Sequence, residues 1–291
     1  MVLSSLAPVP RVVLETKGLL FIDKPAGLSF HSEGEDAPGV MPLLRSMPEL
    51  SSNRLYPVHR LDRVTSGLLM VAKSADAATA VGQLLRERSI HKYYTAISGR
   101  KPAKKQGKVS GDMTRSRRAQ WMLLRSKDNP AVTTFISQRL DHHSELDGDG
   151  ANVGGASSAD DGWSAGGRVA CVLKPLTGRT HQLRVALKAL GSPILGDPMY
   201  AAAAEAKREE RCYLHATALR VPAGCPALSE GGEAIEVVCR PSTGSGWHTP
   251  AFERAWSGWF PPASAEHGEW RATWFEGTPV ASRLDERWSG G

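Results

Sequence analysis

The sequence predicts an α+β fold in a single domain, with a central, largely antiparallel mixed sheet and flanking helices. Three observations support this. Short β-rich runs recur along the chain and outnumber the segments with helical spacing, of which two stand out. Turn signals or short helices separate the runs, and no linker does. The 291 residues, 41% hydrophobic and 23% charged, suffice for one substantial core.

The first runs are Val12–Glu15 and Leu19–Ile22, closed by the turn signal Lys24-Pro25-Ala26-Gly27. Leu68–Ala72 (LLMVA) is almost continuously apolar and reads as a buried strand. Ser74 then offers an N-cap and Asp76 a first-turn acid to a helix carrying Ala77, Ala78, Val81, Leu84 and Leu85 at helical spacing. Arg86 and Arg88 close that helix at its negative end. Tyr93–Ile97, Ala131–Ile136 and Val169–Leu173 are further strands. A second helix starts near Thr180, with Thr177 or Thr180 available as its cap. It puts Leu183, Leu187 and Leu190 on one face, and Gly191 stops it.

Two regions break this pattern. Asp141–Gly167 holds six acids, no Lys or Arg, and mostly Gly, Ser, Ala and Asp. It cannot bury enough surface to offset chain entropy, so a disordered acidic insertion at about 141–167 is expected between two strands. Six of the eight tryptophans follow Arg240, at a spacing that fits neither a clean helix nor a strand. They are expected in an irregular extension, 241–291, that wraps the core and buries its indoles. Residues 1–10 are then an N-terminal extension and 11–240 the main domain.

The net charge is +6, from 36 basic and 30 acidic residues, and it is unevenly spread. Between Arg100 and Lys127 ten Lys/Arg face one acid, Asp112. Such a stretch suits a phosphate backbone, and equally a solvated loop. The four cysteines form no C-x-x-C pair, so neither a zinc site nor a disulfide framework is expected. No apolar run approaches the roughly 20 residues of a membrane helix. Met1–Arg11 lacks the basic start and apolar stretch of a secretory signal, so a cytoplasmic protein is expected, with a mitochondrion or plastid as the alternative. There is no Walker loop, no G-x-G-x-x-G after a strand and no H-E-x-x-H. Nucleotide-driven, dinucleotide-dependent and zincin chemistry therefore lose support, and no cofactor or metal is expected.

The densest polar cluster runs from Val58 to Gly67 and feeds the strand at Leu68. Within it Asp62 sits among His59, Arg60 and Arg63, with Thr65 just beyond. A strand delivers such a turn rigidly, which suits a catalytic acid. A flanking Arg would keep Asp62 charged and nucleophilic, or the pair only fixes the turn. A second cluster, Lys174–Arg184, also follows a strand and opens a helix. Arg179 could meet Asp62 if the two strands are neighbours, whereas Arg184 reads as a solvated helix residue. Leu195–Tyr200 is turn-like and, alone, structural.

These residues carry a resemblance. His59–Leu69 (HRLDRVTSGLL) resembles the H-R-L-D-x-x-T-S-G-L signature of the RluA-type pseudouridine synthases. Leu19–Gly27 is similar to that family's first motif, and Lys92–Ala96 to its K-x-Y-x-A strand. Leu173–Arg184 resembles L-K-P-x-T-G-R-T-H-Q-L-R, Gly191–Tyr200 resembles G-x-P-I-L-G-D-x-x-Y, and Tyr213–Ala216 the late L-x-L-H-A strand.

The resemblance implies the pseudouridine synthase fold and conversion of uridine to pseudouridine in structured RNA, either rRNA or tRNA and plausibly a hairpin loop. Asp62 falls on the aspartate that acts at ribose C1′, by covalent attack or by a glycal route. Arg179 falls on its arginine partner. Tyr94 falls on the tyrosine that stacks on uracil and aids C5 deprotonation, while Tyr93 should point to the opposite face. Leu214 would line the uracil pocket, and Arg60 would brace the flipped nucleotide. His59 and Thr65 join the substrate-binding set. The isomerisation implies no cofactor, no metal and no membrane, and a monomer that can associate with the ribosome or an assembly particle.

The chain departs from the family pattern at Ala186, where R-V-H is usual, and in its insertion and tail. Few residues precede the first motif, so the small N-terminal RNA-binding domain of many relatives is expected to be missing. RNA choice would then rest on the main domain, its basic loop at 100–127, or the tail. The rival reading is a catalytically silent RNA-binding assembly factor on the same fold.

Overall fold

The computed structural model describes residues 9–34, 37–50, 54–140 and 167–260. The expected disorder of the insertion, and Trp270, Trp274 and Trp288 of the tail, lie outside the described residues, as does most of the 1–10 extension.

In chain order the elements are β1 (Arg11–Glu15), β2 (Leu19–Lys24), α1 (Val40–Ser46), β3 (Tyr56–Pro57), β4 (Ser66–Ala72) and α2 (Ala75–Arg86). Then come β5 (His91–Ser98), β6 (Gln106–Gly111), β7 (Met113–Arg115), β8 (Trp121–Leu123), β9 (Ala131–Arg139) and β10 (Val169–Pro175). The chain continues through α3 (Gln182–Ala189), α4 (Ala203–Ala206), β11 (Leu214–Val221), β12 (Ile235–Val238) and α5 (Pro250–Trp259). Ten strands form one sheet in the order β1-β2-β4-β11-β5-β10-β9-β6, with β12 beside β11 and β3 beside β4; β7 and β8 form a separate hairpin. Among the described residues β4 and β11 are the only parallel neighbours. The expected α+β, largely antiparallel mixed sheet is the architecture found.

All seven residues of β4 are buried. It lies between β2 and β11 with both faces covered, which is why its sequence is continuously apolar and not alternating. Gly67 makes its approach to β11 possible. Its φ is +100°, and a Cβ there would stand 2.3 Å from the Ala216 carbonyl oxygen. Ser74 caps α2, its Oγ accepting the Ala77 N–H at 3.1 Å. Gly191 ends the α3 segment at φ +73°. All four cysteines are unpaired, and Cys171, Cys212 and Cys239 are buried.

Two apolar clusters share the sheet. One is built from β2, β4, α1 and α2, the other from β5, β9, β10 and α3. The second also contains Trp247, Phe252, Trp256 and Trp259. Trp247, Trp256 and Trp259 are thus buried, the last two in a regular helix. Thr249 caps α5 through the Phe252 N–H at 3.2 Å, and Pro250 opens its first turn. Residues 241–260 pack into the main core, so the expected division at 240 does not fall at a structural boundary.

The basic stretch at 100–127 also differs from the expected loop. It forms β6 and the β7–β8 hairpin, and its turn holds Arg118 and Ala119 at φ 56° and 58°. No helix among the described residues is long and apolar enough to cross a membrane.

Candidate active site

A cleft of about 520 Å³ opens where the 58–65 loop, β5, the end of β10, α3 and the start of β11 converge. Asp62, Arg60, His59 and Thr65 line it from the loop, Tyr94 from β5, Arg179 and Arg184 from the β10–α3 segment, and Leu214 from β11. The seven candidate site residues, Asp62, Tyr94, Arg179, Arg60, His59, Thr65 and Leu214, therefore reach one cavity, of a size that suits a nucleoside.

Backbone geometry brings them there. β5 lies between β11 and β10, so Tyr94 stands opposite Ala216 on one side and Leu173 on the other. Strand alternation turns Tyr93 away into the core, where it is 1% exposed. Asp62 begins a tight turn, its carbonyl accepting the Thr65 N–H at 3.0 Å just before β4 starts. Lys24, fully buried at the end of β2, ties down the same loop. Its Nζ donates to the carbonyls of Pro25 and Leu28 at 2.9 Å each and of Arg63 at 3.3 Å. Burial pushes the Lys24 ammonium down to about 7, against the opposing pull of the Asp62 charge.

The arginine that meets Asp62 is Arg184, and not Arg179 as expected. Arg184 Nη1 donates to Asp62 Oδ2 at 3.2 Å. Its Nε and Nη2 grip the two carboxylate oxygens of Asp197 at 2.8 Å each, a bidentate pair in which Asp197 is fully buried. Asp197 in turn accepts the Met199 and Tyr200 N–H groups, at 2.9 and 3.1 Å. The turn that read as structural thus fixes the partner of Asp62, and Arg184 is a buried residue instead of a solvated one. Gly196 permits this turn: at φ +71°, a Cβ there would fall 1.8 Å from the Arg211 carbonyl oxygen. Burial opposes the charge of Arg184, but Asp197 and Asp62 outweigh it and raise the guanidinium above its ordinary value.

Arg179 is exposed at the rim and donates to the side chain of Asn129. Gln182 shapes the loop that bears it. Gln182 Oε1 accepts the Arg179 N–H at 3.0 Å and the Thr177 hydroxyl at 2.8 Å, while its Nε2 donates to Val132 O and Thr133 Oγ1 at 2.9 Å each. Neither Thr177 nor Thr180 caps α3; His181 holds that position.

His59 lines the cleft, but its Nε2 accepts the Met70 N–H at 2.8 Å, committing the ring to the loop–strand junction. Burial, with the Lys92 charge in support, pushes this imidazole down to about 3, so it is a neutral brace. Tyr94 keeps its proton, since burial and then the Asp62 charge both raise its phenol. Residues not singled out for the site also line it: His181, Arg88, Lys92 and Lys174. Lys92 stands two residues before Tyr94 in a motif noted above, where alternation along β5 was the available signal; Lys174 is buried, with its Nζ 5.5 Å from the centre of the Tyr93 ring.

Asp23, His215 and Cys239 offer ligand atoms within 4.8 Å of one another. His215 is already committed on both nitrogens, to Ser66 Oγ at 2.8 Å and the Cys239 carbonyl at 3.0 Å, so the cluster reads as a buried hydrogen-bond network.

The sheet thus brings an aspartate–arginine pair and a tyrosine into one cleft lined by several basic side chains. Residues 18–189 match the RNA pseudouridylate synthase family. The chain belongs to that family, in its RluA-type branch, and is by that membership an RNA pseudouridine synthase. It is 38% identical over 240 residues to an uncharacterized RNA pseudouridine synthase of Haemophilus influenzae, a match covering 82% of this chain and 91% of that one. It is 33% identical over 204 residues to ribosomal large subunit pseudouridine synthase D of Xanthomonas campestris, a match covering 66% of this chain and about half, 52%, of that relative's length. Among solved structures, human RNA pseudouridylate synthase domain containing 1 matches with a TM-score of 0.60 at 24% identity, over 84% of this chain and 86% of that one, a likeness of fold.

Proposed function

We propose that this cleft isomerises uridine within structured RNA, rRNA or tRNA, at a base that can be flipped from a hairpin loop. The observation that carries the reading is the Asp62–Arg184–Asp197 chain at the mouth of a cavity walled by Tyr94 and Leu214. A structural ion pair has no need of an aspartate presented to an open cleft by a buried arginine that a second aspartate immobilises.

The chemistry follows from this placement. Arg184 holds Oδ2 of Asp62, which leaves Oδ1 as the oxygen facing ribose C1′. The N1–C1′ bond breaks with its electron pair going to uracil, as Asp62 attacks C1′ or assists a glycal route. The freed uracil rotates, C5 bonds to C1′ as the Asp62–C1′ bond breaks and returns its electron pair to the carboxylate (in the glycal route C5 adds to the glycal and C2′ regains its proton), and the C5 hydrogen leaves as a proton. Tyr94 stacks on the ring and aids that last step. Burial, and then the Asp62 charge, keep its phenol in the protonated form. Arg60, exposed at the cleft, braces the flipped nucleotide and so offsets an unstacking cost of a few kcal/mol.

We assign Arg179, Arg88 and Lys92 to the phosphate track around the cleft, and the exposed Arg115, Arg117 and Arg118 of the β7–β8 hairpin to RNA beyond it. Thr65 and Leu214 pack the base side of the pocket.

The test is tritium release from RNA labelled at C5 of uridine and lacking the modification, comparing wild type with Asp62→Asn. Release by wild type alone supports the reading. Release by both overturns the role of Asp62. Release by neither, with RNA binding intact, moves the protein to the silent assembly-factor reading.

A further inference from the structure

We propose that His181 is a positioning residue of the reaction: its imidazole is locked as the Nε2–H tautomer and aims that proton at Oδ2 of Asp62. The inference rests on Asp62 being the reacting carboxylate, as set out above. It concerns a residue that lies between the two arginines of its motif and belongs to neither of their ion pairs.

The lock follows from counting donors and acceptors. His181 Nδ1 lies 2.9 Å from the hydroxyl of Tyr200. That hydroxyl already accepts the Trp121 N–H from β8 at 2.9 Å. An amide N–H can only donate, so the phenol's own proton is left for Nδ1, the acceptor in reach. Burial, the largest effect on Tyr200, raises this phenol, so the proton stays on the oxygen at neutral pH. Nδ1 is therefore an acceptor, and in a neutral imidazole the hydrogen is then on Nε2.

A second argument selects the same tautomer from the other end of the ring. His181 Nε2 lies 4.0 Å from Asp62 Oδ2. The opposite tautomer would turn a lone pair on Nε2 toward a carboxylate oxygen, a repulsive arrangement. The Nε2–H tautomer turns a donor toward it, about one ångström beyond hydrogen-bond length. Such contacts are often long before substrate arrives.

The protonation state is also set by surroundings. Burial disfavours the imidazolium most; Arg184 and Arg60 oppose it, while Asp62 and Asp197 favour it, and the net direction is down. The ring therefore adds a dipole and no second positive charge. Arg184 and His181 then approach one oxygen of Asp62 from two sides, fixing the plane of the carboxylate without adding a further charge to quench its nucleophilicity. The backbone adds a supporting sign. His181 sits at φ 56°, ψ 18°, a left-handed conformation that a residue with a Cβ adopts only at a cost. Non-glycine residues held there cluster where geometry serves function.

Four variants and one spectroscopic measurement test this. Long-range ¹H–¹⁵N correlation of histidine-labelled protein at pH 7 should show His181 as the neutral Nε2–H tautomer, and a mixture in Tyr200→Phe. Single-turnover tritium release at saturating enzyme should fall about tenfold in Tyr200→Phe and thirtyfold or more in His181→Ala. It should stay within about threefold in His181→Gln, whose amide nitrogen reaches the Nε2 position. Adding Tyr200→Phe to His181→Gln should cost no further rate, because the lock then has nothing to hold. Loosening of the hairpin in Tyr200→Phe would appear in RNA affinity and not in the saturated rate, and melting curves confirm that each variant is folded.

An Nδ1–H tautomer in wild type, wild-type rates in Tyr200→Phe, or His181→Gln as damaged as His181→Ala would each overturn the proposal. Activity in Asp62→Asn would instead remove the reading on which it rests. An inactive Asp62→Asn beside a fully active His181→Ala sinks this inference alone.

Discussion

Replacing Asp197 by Asn tests the support beneath Asp62 directly. The substitution keeps the shape of the side chain and can keep an acceptor for the Met199 and Tyr200 N–H groups. It removes the charge that two arginine nitrogens contact at 2.8 Å. The side chain of Arg184 is 4% exposed, so its cation is left with Asp62, itself 22% exposed and 3.2 Å away, as its one carboxylate. Breaking a buried pair by removing one partner costs about 3–5 kcal/mol. For a chain of this size that corresponds to a fall in Tm of roughly 6–20 °C. Arg184 also loses its fixed plane, so turnover at saturating RNA should fall at least about tenfold with little change in KM. Chemical denaturation and single-turnover tritium release measure the two effects. The double variant Asp197→Asn, Arg184→Met supplies the decisive comparison. It should be more stable than Asp197→Asn alone, since no buried cation remains uncompensated, yet catalytically dead. If Asp197→Asn loses less than about 1 kcal/mol and turns over normally, the carboxylate does not position Arg184 and the chain of support is wrong.

Other consequences are simpler to check. Burial, with Arg211 in support, pushes His215 down to about 3 from an ordinary 6.5, so the unfolded chain binds this proton first as pH falls. Stability should therefore drop on going from pH 7 toward pH 3, by about 2 kcal/mol at pH 5 from this group alone. Denaturant titrations at both pH values should show that increment shrink in His215→Gln. Gly67→Ala puts a Cβ 2.3 Å from the Ala216 oxygen at a φ of +100°, and should cost more than about 3 kcal/mol, read as a collapse of soluble yield or midpoint. Replacing Arg115, Arg117 and Arg118 together by Ala should weaken RNA binding and flatten the salt dependence by roughly two in log–log slope, with the saturated rate unchanged. Arg179→Ala should raise KM by less than about tenfold and spare kcat, whereas Arg184→Ala should abolish kcat; the reverse pattern would restore Arg179 as the partner of Asp62.

Periodicity alone located the strands that are buried on both faces, because LLMVA and its neighbours leave no room for a polar residue. It passed over β6, whose QGKVSG has two glycines and one buried apolar side chain, Val109. The hairpin β7–β8 has strands of only three residues, MTR and WML, too short to show a period. The helix α5 was legible in other terms than tryptophan spacing. Thr249-Pro250 followed by Glu253 is a helix start, and Ala251, Phe252, Ala255, Trp256 and Trp259 keep one face. At the site, motif order assembled the right loops, but two arginines five residues apart could each have met Asp62. The choice between them depends on Asp197, which becomes a binding group only when the 195–200 turn folds under α3. His181 was hidden for the same reason: nothing in a lone histidine tells which hydroxyl will fill its other nitrogen.

The sheet order has a consequence for how the enzyme comes into being. Asp62 belongs to the half made of β1, β2 and β4, while Tyr94 and Arg184 belong to the half that starts at β5. The strand that joins the halves, β11, is made more than a hundred residues after β5. A chain emerging from the ribosome at roughly 5–20 residues per second therefore exposes two unjoined strand edges for many seconds. Long-range closure of this kind is slow and open to aggregation until it completes. Docking of Leu214–Val221 seals both edges at once and, in the same event, brings the carboxylate to the tyrosine, so that the catalytic centre is assembled by the strand that joins the two halves of the sheet.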